Sequence, residues 1–451
     1  MSDPDKTNLI LVVVICTLVF QASTALADGA PKAAAPSTVL TAHVGPQKIS
    51  VEQAVRIGLE RNPQIAGARA AEAAARANYR SFAAFPGVQL GVTHSEGTST
   101  APSLTGAPND TFLDVGETLD TSGQRRYQAA GAGAQWTAAR YALEEMRLSL
   151  EQQIRDAYWG LAAARAQSQA ALDALHDVEK VHELTITQEQ AGASPHADVV
   201  RSSIDVANAR QAYEAALGAE RVALAALNTL LARPAMEPLE LEDALSPSAS
   251  APEPIPNLPD LKELQRIALE NRPLIRQARE ATRSARYAVL QAKASRFPDV
   301  SVDYERSLQH PAGSETVLLG AHFPILDFGS INEAIRSAAA AERQAKAQEV
   351  QTEQQVAQQV AQAWSDYVQA RKIAASYREE VLEPSVRLLE MARIGYQQGA
   401  TGILPVIDAE TTLRNARIGA INALLALYKA RDEVYAATGG LSISPSKEVP
   451  K

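Results

Sequence analysis

The sequence predicts a mainly α-helical chain with a small β part. It is built twice over, as two long helical hairpins in tandem, each preceded by a pair of strands. Three observations predict this. Alanine supplies 85 of 451 residues, and aromatics make up only 5%. The strongest helix former is also a very small apolar contact, so this composition suits long helices packed closely and furnishes large compact cores poorly. Residues 331–383 contain no Gly and no Pro, and 134–191 contain only Gly160. The chain also repeats. Leu59-Glu60-Arg61-Asn62-Pro63-Gln64-Ile65 returns as Leu269-Glu270-Asn271-Arg272-Pro273-Leu274-Ile275, an offset of 210. Arg165 returns as Arg371 at 206, while Asn208-Ala209-Arg210 returns as Asn415-Ala416-Arg417, and Gly192 as Gly399, at 207. Two similar halves imply equivalent elements in pseudo-symmetric places.

At the N-terminus, Leu9 to Phe20 is a twelve-residue apolar run broken only by Thr17. A membrane-spanning helix needs about 20 residues. Ala25-Leu26-Ala27 follows with the small-x-small pattern of a signal-peptidase site, so residues 1–27 are expected to be a signal peptide and 28–49 an N-terminal extension. An uncleaved anchor is the alternative reading, because Asp3 and Asp5 outweigh Lys6. Cys16, the only cysteine, lies in this run behind a bulky Ile15, so neither an internal disulfide nor a lipid anchor is expected. No later run of 18 apolar residues occurs, and any membrane span is expected to be made from strands. A net charge of −9 without a Lys/Arg run leaves no footprint for nucleic acid.

The first repeat covers 50–233: a short helix over about 50–84, strands within about 86–120 and a helical hairpin over about 123–233. A linker, 234–260, holds seven prolines in 27 residues. The second repeat covers 261–440: a short helix over about 260–296, strands within about 298–326 and a hairpin over about 330–438. A tail, 441–451, follows. Continued to the Gly turns, each long helix runs roughly 100 Å at 1.5 Å per residue. Such helices need partners along their whole length, and Val356, Val360, Trp364, Tyr367 and Val368 stand at helical spacing as packing residues.

The strands alternate. In Asp299 to Glu305 the polar positions interleave with Val300, Val302 and Tyr304, and Val88, Leu90 and Val92 share a face in the same way, as do Val317, Leu319, Ala321 and Phe323. The run from Thr111 to Leu119 is less regular. A half-buried antiparallel sheet alternates too. Export together with 100 Å helices favours spanning, with Val300, Val302 and Tyr304 toward lipid and Asp303 and Glu305 lining a pore. Four strands cannot close a barrel, whereas three chains would give twelve.

The segment Gly395-Tyr396-Gln397-Gln398-Gly399-Ala400-Thr401-Gly402-Ile403-Leu404-Pro405-Val406-Ile407-Asp408-Ala409, followed by Thr411-Thr412-Leu413, resembles outer-membrane efflux proteins of the TolC family. So do its counterpart from Gln190 to Val199 and the Leu-Asp-Phe-Gly at 326–329. Thr118 to Arg126 is similar to the strand-to-helix junction of CzcC-like members, which export metal cations. The resemblance covers nearly all of the mature chain. It implies a homotrimer whose twelve strands form one outer-membrane barrel and whose twelve pseudo-continuous helices form a periplasmic tunnel. It also implies a periplasmic adaptor (membrane fusion protein) and an inner-membrane efflux pump as partners.

For the tips, glycine at 192 and 399 permits the left-handed turn that ends a helix. The resemblance adds that Gly192, Ala193, Ser194, Gly399, Ala400 and Thr401 dock the adaptor. It further implies a gate in which Tyr396 pairs with Asp198, and Asp408 contributes to a ring of carboxylates. The family's first constriction aspartate is Pro405 here, and its neighbouring arginine is Thr401. No phosphate loop, HExxH, CxxC or GxSxG is present, so the chain is expected to be no enzyme and to hold no cofactor. His176 and His182, six apart, fall on different helix faces and suit a helix surface better than a zinc site. A periplasmic coiled-coil adaptor or a structural envelope protein is the alternative reading. The former would also carry a biotin-carrier-like β domain, and neither explains strand pairs recurring with the repeat.

Overall fold

A computed structural model describes residues 48–84, 88–95, 110–246, 258–308, 315–323 and 328–440. The signal peptide with Cys16, nearly all of the extension, Pro86, the Leu326-Asp327 half of the junction motif, residues 247–257 of the linker and the tail lie outside the described residues.

Each half opens with two helices where the sequence suggested one. They are α1 (Val51–Arg61) and α2 (Pro63–Ala83) in the first half, and α5 (Leu261–Asn271) and α6 (Pro273–Ala294) in the second. The cause is the proline after each break. It pushes the preceding residue out of the helical region, and Asn62 and Arg272 take ψ of 129° and 126°. Between these helices and the hairpins lie strands β2 (Gln89–Ser95) and β3 (Asp110–Leu119), then β5 (Asp299–Ser307) and β6 (Glu315–His322). The two-residue strands β1 (Lys48–Ile49) and β4 (Glu240–Leu241) pair in parallel and fasten the linker just ahead of α1.

The first hairpin is α3 (Gln124–Gln190), 67 residues without interruption, and α4 (His196–Leu230), 35 residues. In the second, α7 (Ser330–Tyr377) passes through a π-helical turn, Arg378–Leu382, into α8 (Glu383–Gln397), and α9 (Leu404–Ala437) returns. The π turn has a cause in the repeat. Above it, buried positions correspond at an offset of 206: Leu150 with Val356, Ile154 with Val360, Leu161 with Tyr367. At its last residue Leu382 corresponds to Leu175 at 207, and below it Ser385 corresponds to Val178 at 207. The second half carries one extra residue, and the wider turn absorbs it without rotating the buried face.

The returning helices are about half as long as α3, and shorter helices cover the rest. Near the strands α3 packs on α2 and α6, and toward the turns it packs on α4 and α9. Asn62 Nδ2 donates to Leu230 O at 2.9 Å, setting α4 end-on to α2. At the matching place in the second half, a Cβ on Gly439 would lie 3.2 Å from Arg272 Cα, so α9 ends against α6. These two joints produce the pseudo-continuous helices. The main core gathers beside the first joint, where Leu150, Ile154, Leu161 and Leu227 meet Leu239 and Leu245 of the linker. The Tyr158 hydroxyl stands 2.9 Å from both Ile49 O and Asp243 Oδ2, tying α3 to the linker.

Candidate pore face, gate and docking tips

The four long strands form one antiparallel sheet in the order β2-β3-β5-β6. Register fixes which residues share a face. Val92 stands opposite Leu113, Leu90 opposite Val115, Val115 opposite Tyr304, Val302 opposite Leu319, and Val300 opposite Ala321. On the other face Asp114 stands opposite Glu305, and Gly116 opposite Asp303. The alternation read from the sequence therefore sorts Val300, Val302 and Tyr304 from Asp303 and Glu305. The apolar face is bare in one chain, with Leu90 68% and Leu319 77% exposed.

Asp114 joins the acidic face and was missed, because Glu117 sits on the apolar side of β3 and blurs its pattern. The acidic side chains do not stand upright. A Cβ on Gly116 would collide with the Asp303 carboxylate, and one on Gly91 with that of Asp114. Each carboxylate lies over a glycine of the neighbouring strand.

At the helix end of β3, Asp120 caps α3. Its Oδ1 accepts from Gln124 N at 3.0 Å and its Oδ2 from Arg125 N at 2.7 Å. Burial pushes its carboxyl up. The bonds from Ser122 and from the Arg125, Gln124 and Gly123 amides outweigh that and hold it below its ordinary value.

Both hairpin turns close in the same way. Gly192 has φ +71° and Gly399 φ +69°. The Gly192 amide donates to Glu189 O and the Ala193 amide to Gln188 O, and the second turn repeats this with Gly399 to Tyr396 and Ala400 to Gly395. This is the 6→1 and 5→2 pair that ends a helix on a left-handed residue. Ala193, Ala400 and Thr401 are exposed and Ser194 is half-buried. The polar side chains near the first tip bond locally, with His196 Nδ1 3.0 Å from Glu189 Oε1.

The expected gate residues are placed as follows. Tyr396 is buried, and within one chain its hydroxyl reaches Thr185 Oγ1 of α3 at 3.2 Å rather than Asp198. Asp198, half-buried, takes Ser194 Oγ at 3.1 Å through its carboxylate. Asp408 is exposed on α9, about one turn in from its start at Leu404. The Tyr396–Thr185 bond joins the two hairpins of one chain. Sequence reasoning missed it because it links positions 211 apart in sequence. His182 lies 2.7 Å from Ser202 Oγ, a contact inside the first hairpin.

A family model described as outer membrane efflux protein matches residues 55–233 and 264–440. The chain is 23% identical over 317 residues to the cobalt-zinc-cadmium resistance protein CzcC of Cupriavidus metallidurans, covering 69% of this chain and 73% of that one. It is 25% identical over 335 residues to the pyoverdine export outer membrane protein OpmQ of Pseudomonas aeruginosa, covering 73% and 69%. Among solved structures it matches the outer-membrane channel OprN with a TM-score of 0.75 at 26% identity, over 86% of this chain and 90% of that one. It matches CusC in fold, at a TM-score of 0.75, 21% identity, and 91% and 99% coverage.

Proposed function

The chain belongs to the outer membrane efflux protein family and is an outer-membrane duct for efflux; from that premise we propose that three copies close one passive channel, sealed at rest where the helices turn back. The four-stranded sheet carries this reading. It is mainly apolar on one face, where Glu117, Arg306 and Glu315 also stand, and acidic on the other, and among the described residues β2 and β6 each pair on one side only. In lipid every unpaired backbone group costs several kcal/mol, so an open sheet has to close with others. Three copies supply twelve strands.

The helices support the same closure. Their order at the turn end is α4, α3, α9, α8. The outer members carry bare apolar seams at helical spacing: Val200, Ile204 and Val222 on α4, and Val381, Leu388 and Met391 on α8 and the π turn. The α4 seam of one copy meets the α8 seam of the next.

On this reading Val300, Val302 and Tyr304 face lipid, while Asp303 and Glu305, with Asp114, face water. Cysteines at 303 and 305 are expected to react faster with a polar thiol reagent than cysteines at 300, 302 and 304; the opposite order reverses the faces. The tips, Gly192-Ala193-Ser194 and Gly399-Ala400-Thr401, meet a periplasmic adaptor fed by an inner-membrane pump. Cargo is chosen by that pump from metal cations or drug-like small molecules. One relative named above is a cobalt-zinc-cadmium resistance protein, the other a pyoverdine exporter, and the two match this chain about equally well.

The gate combines Tyr396, which couples the hairpins, with Asp198 and a ring of three Asp408 carboxylates that attracts cations. Planar bilayers test duct and gate together. Unheated protein is expected to give discrete conductance steps that multivalent cations block. Asp408→Ala is expected to weaken that block, and Tyr396→Phe with Asp198→Ala to raise conductance. A heat-stable monomer without conductance would sink the duct, and unchanged block and conductance in the variants would sink the gate.

A further inference from the structure

Between the two hairpins lies a polar cavity of about 130 Å³. Its walls come from four helices and carry charge from each hairpin. The first hairpin supplies Asp177 from α3 and Asp205 with Asn208 from α4. The second supplies Glu410, Arg414 and Arg417 from α9. Arg393 of α8 reaches in, with Nη2 3.2 Å from Glu410 Oε1 and 3.5 Å from Asp177 Oδ1. Lys180, exposed on α3, stands 3.9 Å from Asp177. One nitrogen of the Arg393 guanidinium, Nε, is buried without a hydrogen-bond partner. Charges of both signs thus face one half-buried cavity, and its two sides belong to different hairpins.

We propose that this cavity is a proton-operated latch: protonation of Asp205 and Glu410 draws the two hairpins together, and their ionisation lets the hairpins part. The latch rests on reading the chain as a duct that closes where its helices turn back. Its sign follows from the carboxyls. Burial holds Glu410 above the ordinary carboxylate range; Arg393 opposes the shift, and Asp177 and Asp205 reinforce it. Burial likewise raises Asp205, against the pull of Arg414. In both, desolvation outweighs the arginine.

A carboxyl raised in this way holds its proton more tightly in the packed state than in a parted, hydrated one. Acidification therefore favours the packed state. The effect begins as pH falls through the raised values and is complete below the ordinary carboxylate range. Each unit by which the packed-state pKa exceeds the parted one shifts the balance about tenfold per group. The neighbouring histidines, His182 against Ser202 and His196 against Glu189, bond within the first hairpin and do not bridge the cavity.

Two spin labels test the latch, at Gln190→Cys and Gln397→Cys, one on each tip, with Cys16→Ser as background. Labelled chains are diluted into trimers with excess unlabelled chain, and the tip-to-tip distance is measured by electron resonance between pH 7.5 and 3.5. The distribution is expected to shorten and narrow on acidification. Asp205→Asn with Glu410→Gln, which mimics the protonated pair, is expected to be narrow at both pH values. A wild-type distribution that widens or stays fixed, or a double variant that follows pH as wild type does, overturns the proposal. The distance is read without current, so a chain that forms no channel still tests the latch. A conducting channel whose tips ignore pH sinks the latch alone.

Discussion

Valine at Gly399 or at Gly192 is expected to abolish efflux in whole cells while trimers still reach the outer membrane. Both glycines hold a positive φ. A left-handed residue with a Cβ costs roughly 1–2 kcal/mol, and a β-branched one resists further. Crowding within the chain adds nothing, because a Cβ at either position meets no atom within 4 Å. The new methyl groups would project from the tip into the surface assigned to the adaptor. Alanine at the same positions carries most of the backbone cost and little of the bulk, so it separates the two effects. Efflux that remains normal with valine at both sites would refute the docking role. Loss of the trimer band would instead place the defect in folding.

The second large effect is expected at Trp159. The ring is 4% exposed and stacks on Tyr428 with centroids 4.0 Å apart. Its Nε1 donates to Asp432 Oδ2 at 3.1 Å. Trp159→Ala removes a buried aromatic, worth about 3–5 kcal/mol, and strips a donor from a buried carboxylate. Trp159→Phe keeps most of the ring and loses only the donor, about 1–3 kcal/mol. Burial already raises the Asp432 carboxyl, against Arg431, Arg155 and the Trp159 bond. The folded state therefore binds the proton more tightly than the unfolded one, and the phenylalanine variant should recover stability as pH falls. Thermal melts followed by circular dichroism read both variants. An alanine variant melting with wild type would show that the contact contributes nothing.

The long helices, the four strands and the Gly turns were legible because each rests on local pattern: absence of breakers, period-two alternation, a left-handed residue after a helix. The breaks at Asn62 and Arg272 were legible too, since Pro63 and Pro273 announce them, though continuous helicity was expected across both. The π turn was present in the sequence as a change of offset, 206 at Arg165 and 207 at Gly192. The Tyr396–Thr185 bond, the charged cavity and the joint of Leu230 on Asn62 were not legible. Each joins residues far apart in the chain, and period says which face a residue occupies but not which neighbour that face meets. Asp114 escaped for a local reason, because Glu117 on the opposite face masks the alternation of β3.

The π turn occurs in one hairpin of each chain, and α3 crosses the same height without it. A trimer would set six hairpins side by side, nearly equivalent by the internal repeat. Three would be stiff rods, and three would carry one loosened turn followed by Pro384. Bending would concentrate in the loosened ones. A tube close to sixfold when straight would then deform along a threefold mode, every second pillar yielding while its neighbours hold, and one inserted residue would decide which pillars yield.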